Sequence, residues 1–230
     1  MASRLFLLHD IVFSLRDFLF PKVCPGCDNP IEDGCELCSA CRDRIRMESR
    51  QWRPTRDLPG IDRVSVLLPY DEFTRNLVHA LKYHGARGLG VPLGSLMAEK
   101  MSRETTLGPD IVIVPVPLHP EKKRERGYNQ CELLAKGFAS ASGLTVENGA
   151  IDRARYTGTQ TALDAETRKT NVQGAFRIAR EGVLAGKRAI VIDDVLTTGS
   201  TMAECARVLR EAGAVEIMAC VVSTPSIRDS

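Results

Sequence analysis

What this sequence has least of is net charge. Its 230 residues carry 31 Lys and Arg against 29 Asp and Glu, a formal +2. So weak an overall field excludes nucleic-acid binding driven by net charge; such a role needs a local patch. The chain also lacks the roughly 18 uninterrupted apolar residues that a membrane span requires. It has no Gly-Lys-Ser/Thr, which excludes a P-loop for nucleoside triphosphates. Internal repeats and low-complexity segments are absent. Hydrophobic residues make up 43% and charged residues 26%. That is ordinary globular composition, and it excludes a wholly disordered, collagen-like or membrane-bundle protein. The length allows one full core plus a small appendage.

Cysteine is what the chain does have. Five of its eight cysteines (Cys24, Cys27, Cys35, Cys38, Cys41) fall within eighteen residues. A disulfide framework would need an oxidising compartment. The apolar N-terminus does not read as a signal peptide. His9, Asp10, Arg16 and Asp17 interrupt it, and no small-residue cleavage site follows. Leu5, Leu8, Ile11, Val12, Leu15, Phe18 and Leu19 recur at helical spacing, predicting an amphipathic helix over 1–20. Its polar face is mixed in charge, which favours packing on a neighbour over lying on a membrane. A cytoplasmic protein is expected.

Cys24-Pro-Gly-Cys27 and Cys38-Ser-Ala-Cys41 form two C-x2-C knuckles. Two such knuckles facing each other complete a tetrahedral four-thiolate site suited to zinc. Four thiolates leave no open position, so the expected role is structural. Cys35-Glu-Leu-Cys38 is also C-x2-C, which leaves Cys35 as a rival ligand. The expected organisation is a helix over 1–20, a zinc module over 21–58 and a larger domain over 59–226. Arg42, Arg44, Arg46, Arg50, Arg53 and Arg56, with Trp52 among them, have two readings. One is contact with single-stranded DNA through phosphates and a stacked base. The other is a solvated helix face followed by a linker.

Beyond Pro59 the pattern alternates strands and helices, with strands at Val64–Pro69, Asp110–Pro117, Lys187–Asp194 and Glu216–Ser223. Helices are expected over Asp71–Tyr83, Tyr128–Ala141 and Ser200–Ala212, and a long loop over Arg153–Val172. This order implies an α/β fold with a mainly parallel sheet flanked by helices.

The sharpest motif is Ile190-Val-Ile-Asp-Asp-Val-Leu-Thr-Thr-Gly-Ser-Thr201. An apolar strand ends in two acids, then a hydroxyl-rich turn opens a helix. Ligands of open α/β sheets sit at that carboxyl edge. Thr197, Thr198, Gly199, Ser200 and Thr201 offer hydroxyls and N–H groups at a helix N-terminus, a cradle for phosphate. Asp193 and Asp194 disfavour phosphate and suit sugar hydroxyls, or magnesium through water. A ribose bearing a 5-phosphate meets both demands.

This stretch resembles the phosphoribosyl-pyrophosphate (PRPP) motif of type I phosphoribosyltransferases. The four-cysteine module, Tyr70-Asp71, Leu81-Lys-Tyr-His-Gly85, Val114-Pro-Val-Pro-Leu-His119, Arg126-Gly-Tyr-Asn-Gln130 and Asn171-Val-Gln-Gly-Ala-Phe176 follow in order. Together they resemble the ComF/GntX family of competence-associated, phosphoribosyltransferase-like proteins, from about Pro21 to Thr224, with Cys35 as the one extra. The resemblance implies a type I phosphoribosyltransferase-like fold behind a small zinc module. It also implies PRPP with magnesium as ligand and a role in DNA uptake, with competence proteins as partners. Asp193 and Asp194 would hold the ribose hydroxyls, and Thr197–Thr201 the 5-phosphate. Pro117, Leu118 and His119 stand at the pyrophosphate-loop position, and Arg153–Arg168 at that of a mobile closing loop. Lys82, Arg124, Arg126 and Arg168 are candidate anion contacts, each open to the plainer reading of an exposed cation. Cys131, Cys205 and Cys220 are expected to be buried small hydrophobes.

Overall fold

In a computed structural model of the protein, residues 22–32, 34–52, 57–83, 86–154 and 173–225 are described. The helix expected over 1–20, Arg53, Arg56, His84 and Arg168 lie outside them. The elements in chain order are α1 (Ser39–Gln51), β1 (Arg63–Pro69), α2 (Glu72–Tyr83), a 3-10 turn (Arg87–Leu89), α3 (Gly90–Glu104) and β2 (Ile111–Pro115). There follow α4 (Pro120–Arg126), α5 (Gln130–Ser142), β3 (Thr145–Val146), β4 (Ile151–Arg153), β5 (Phe176–Ile178), β6 (Arg188–Val195), α6 (Ser200–Glu211) and β7 (Glu216–Thr224).

Five strands form one sheet in the order β1-β7-β6-β2-β3, every pair parallel. β4 and β5 make a separate antiparallel pair. The apolar runs of β2, β6 and β7 are buried on both faces, as a covered parallel sheet demands. Alternation along β6 divides the core. Ile190 and Ile192 face the helices α2, α3 and α5, while Ala189 and Val191 face α6 and the β4–β5 pair.

α3 and α5 pack backbone to backbone. A Cβ on Gly94 would lie 2.0 Å from the Leu134 carbonyl oxygen, and one on Gly137 2.1 Å from that of Val91. Ser95 Oγ bridges the gap to the Gly137 carbonyl at 3.2 Å. On an exposed helix, Gly→Ala stabilises by up to about 1 kcal/mol. Here overpacking reverses the sign. Gly94→Ala is expected to destabilise by about 1–3 kcal/mol, read as a lower midpoint of urea unfolding at unchanged slope. A stabilised variant would show that the helices have room to separate.

The zinc module shares the main core. Cys24, Leu37, Cys41 and Ile45 belong to the same buried cluster as Phe73, Leu77 and Leu81 of α2. Arg46 pairs with Glu99 of α3 through two hydrogen bonds of 3.2 and 3.1 Å. Lys100 of α3 reaches the carbonyls of Ser49 and Trp52 at the end of α1, at 2.7 and 2.9 Å.

Candidate functional site

Sγ atoms of Cys24, Cys27, Cys38 and Cys41 all lie within 4.8 Å of one another. Those of Cys27 and Cys38 are 3.7 Å apart. Two ligands at tetrahedral angles around zinc, with Zn–S near ~2.3 Å, would stand about 3.8 Å apart. The donor set therefore fits zinc. Cys35 is no member of this cluster, so Cys38 and Cys41 form the second knuckle. Cys38 is the N-cap of α1, and its sulfur accepts the Cys41 N–H at 3.3 Å. That hydrogen bond, ahead of its sulfur neighbours, lowers its pKa to about 7 against the opposing effect of burial. Burial, then the other three sulfurs, push Cys41 up instead, as expected of crowded thiols that a cation would relieve.

The second constellation lies at the carboxyl edge of β6. Asp193 and Asp194 are its sixth and seventh residues. Asp194 is buried. Its Oδ1 pairs with Lys82 Nζ at 2.8 Å, and its Oδ2 accepts from Gln130 Nε2 at 2.8 Å. Asp193 is half-buried, and its Oδ1 accepts from the Cys131 thiol at 3.2 Å and from the Asp194 N–H at 2.8 Å. Burial first, then the Asp194 charge, raise the Asp193 pKa to about 6. Burial alone would lower the Lys82 pKa, but Asp194 more than offsets it and raises it.

Gly199 turns the chain at φ 83° immediately before α6. Thr198 Oγ1 lies 2.9 Å from Ser200 Oγ, so two hydroxyls cluster at that helix N-terminus. A positive-φ glycine frees successive N–H groups to point the same way, the usual means of cradling an anion. A cleft of about 900 Å³ opens beside Thr198, Gly199 and Ser200, walled by Leu58, Pro59 and Glu204. Another, of about 610 Å³, is lined by Pro117, Leu118, Lys123 and Arg124 next to the end of β2.

Several expected residues have protein partners. His119 Nδ1 accepts the Glu121 N–H and caps α4. The basic run Lys122–Arg126 forms that short helix, where Lys123 pairs with Glu132 at 2.8 Å. Arg126 hydrogen-bonds the Gln130 amide oxygen and rests over the Tyr83 ring, 5.3 Å from its centroid. Lys82 is joined to Asp194 rather than standing alone at a helix end. Arg44 pairs with Glu48 and Asp71, and Arg46 with Glu99, so four of the six arginines named for DNA either serve α1 and its docking (Arg44, Arg46) or lie outside the described residues (Arg53, Arg56).

Gln130 and Cys131, the latter expected only as a buried small hydrophobe, both touch the acids. Both follow Arg126-Gly-Tyr-Asn, whose Asn129 bonds the Val116 carbonyl at 3.0 Å and caps α5. That cap aims the first turn of α5 at the acids. The position of Gln130 inside a quoted motif was the available signal.

A family model described as a phosphoribosyl transferase domain matches residues 132–228, and one described as a double zinc ribbon domain matches residues 15–52. The DNA utilization protein YhgH of Salmonella typhimurium is 31% identical over 199 residues, covering 85% of this chain and 81% of the relative. Competence protein F of Haemophilus influenzae is 28% identical over 200 residues, covering 85% and 87%. The chain belongs to the ComF/GntX family. In this ComF/GntX chain the transferase-domain match takes in Asp193–Thr201 but begins after Lys82 and Gln130. Among solved structures, a glutamine PRPP amidotransferase from B. subtilis is 25% identical, with a TM-score of 0.41 over 61% of this chain and 30% of that one. Among the described residues, no helix is long and apolar enough to cross a membrane.

Proposed function

We propose that the chain binds PRPP at the carboxyl edge of β6 and uses it in the handling of DNA. The observation that carries this reading is the succession of two acids, a positive-φ Gly199 and a helix N-terminus bearing two clustered hydroxyls. Thr197–Thr201 would take the 5-phosphate, and the edge formed by the acid pair Asp193 and Asp194 would seat the ribose hydroxyls. The pyrophosphate would lie towards Pro117, Leu118 and His119, with Arg124, which lines the cleft beside them, and Arg126 as candidate cations; Arg168, the other candidate, lies outside the described residues. Magnesium would arrive on the pyrophosphate oxygens. The reaction such a site serves is displacement: a nitrogen nucleophile bonds to the anomeric carbon as its bond to pyrophosphate oxygen breaks. The names of the relatives, DNA utilization and competence proteins, support placing this chemistry in DNA uptake or use. Zinc held by four thiolates supports a reducing, cytoplasmic setting.

Calorimetry with PRPP and magnesium tests binding, and pyrophosphate release with a panel of bases tests transfer. Binding is expected for the native protein and a loss on the order of 10-fold or more for Asp193→Asn/Asp194→Asn, the charged acceptor of the ribose hydroxyls and the carboxylate beside it being removed. Affinity should also fall as pH drops through about 6, where Asp193 takes up a proton and accepts hydroxyls less well. No heat of binding from the folded native protein would end the reading. A panel without pyrophosphate release would leave a PRPP sensor. DNA retained on the protein in a salt-sensitive way would add a single-stranded DNA surface to it.

A further inference from the structure

We propose that the two adjacent acids are divided in role: Lys82 and Gln130 lock Asp194 as a fixed carboxylate, Asp193 alone offers an oxygen to a ligand, and the Lys82 charge makes this edge a receptor for neutral hydroxyl groups rather than for a bare divalent cation. The division begins with strand geometry. Neighbouring residues of a strand point to opposite faces, so Asp194 follows Ile190 and Ile192 towards α2 and α5, while Asp193 follows Ala189 and Val191 towards α6. On the first face both Asp194 oxygens are occupied, one by Lys82 and one by Gln130, and its side chain is 5% exposed. The Gln130 amide cannot turn over freely, because Arg126 donates to its oxygen and so holds its NH2 towards Asp194. On the second face, Asp193 Oδ1 takes both of that residue's protein hydrogen bonds. Among the described residues nothing donates to Oδ2.

The same groups set the local charge. The ammonium of Lys82 sits 2.8 Å from Asp194, and the Arg153 guanidinium, over the Phe176 ring, feels the Asp193 charge from the other side. Two carboxylates therefore face two cations, with Cys131 and Cys205 as neutral thiols between them. A divalent cation prefers several anionic oxygens free of competing positive charge. Cys131, Asp193 and Asp194 come within 4.8 Å of one another, yet the Lys82 ammonium already holds the charge a metal would neutralise. The edge thus does not fit a metal ion that arrives alone. A sugar hydroxyl, which donates to Asp193 Oδ2 and carries no charge, meets no such barrier. This rests on the proposed function only for naming the hydroxyls as those of a ribose; the charge division does not depend on it.

The test uses Mn2+ alone, followed by its electron paramagnetic resonance signal, on zinc-loaded full-length protein without any sugar phosphate. The native protein and Lys82→Arg, which keeps the charge, are expected to show no Mn2+ site at the acids. Lys82→Met is expected to gain one, at least about tenfold tighter, because a like charge is removed from a partly buried site. Lys82→Met/Asp194→Asn should lose it again. If Lys82→Met does not fold, the native protein decides by itself: a Mn2+ site that Asp193→Asn abolishes overturns the proposal, and no such site supports it. Equal Mn2+ affinity in native protein and Lys82→Met also overturns it. Since PRPP is absent throughout, failure here leaves PRPP binding standing, and failure of PRPP binding leaves this result readable.

Discussion

Serine at both Cys24 and Cys41 is expected to remove zinc from the protein and to lower its thermal midpoint steeply. The two thiols are the buried members of the four-sulfur cluster, and they sit in the same core as Phe73, Leu77 and Leu81. Gly26 between the first pair lies so close to the Phe73 ring that a Cβ there would meet it at 2.5 Å. The metal therefore fixes a knuckle that is also a wall of the main domain, and α2, which it abuts, carries Lys82 in its last turn. Even a third of the ~10–16 kcal/mol that zinc contributes in small zinc modules would lower the midpoint by on the order of 10 °C in a chain of this size. Metal analysis should read one zinc per chain in the native protein and none in the variant, with one cooperative transition moved down as a whole. Cys35→Ser, outside the cluster, should change neither quantity. A variant that keeps its midpoint without zinc would show that the shared core holds the module alone.

The parts of the fold that were legible in the sequence are those where one local signal suffices. β2, β6 and β7 are unbroken apolar runs, and β6 ends in the acids and the Gly199 turn, so strand, edge and cradle stand within twelve consecutive residues. α4 was not legible. It has no buried residue to give a periodicity, and its start is marked only by Pro120 and the cap from His119. The partners of Asp194 were hidden for another reason: Gln130 is 64 positions away, and a hydrogen bond between distant segments leaves no pattern in either. The contact of α3 with α5 was hidden because Gly94 and Gly137 carry no side chain; a glycine in a helix reads as weakness until its neighbour is seen. The domain boundary expected at residue 58 likewise gave no hint that α1 and α3 would be joined by a buried ammonium.

That ammonium carries the second large effect. Lys100→Met is expected to destabilise the protein by about 3–5 kcal/mol, the cost of breaking a buried charge pair by removing one partner. The Lys100 side chain is 1% exposed, and its Nζ holds the Ser49 and Trp52 carbonyls while pairing with Glu104 at 3.1 Å. Ser49 is among the last residues of α1, whose final carbonyls have no N–H of their own helix to accept and carry its negative dipole end. A cation there satisfies both needs. Methionine is close to lysine in length and shape, so no large cavity forms and the loss reports on charge and hydrogen bonds. With it the Ser49 carbonyl loses its lysine donor and Glu104 its ion pair with Lys100. Lys100→Met/Glu104→Gln removes the second of these charges too and should recover part of the loss. Arg46–Glu99, on the half-exposed side of the same contact, should matter far less: Arg46→Met is expected to cost under about 1 kcal/mol, as for other exposed pairs. Denaturant unfolding decides. A midpoint in Lys100→Met no lower than in Arg46→Met would mean that apolar packing of Ile45 and its neighbours, and not the buried ammonium, joins the zinc module to the sheet domain.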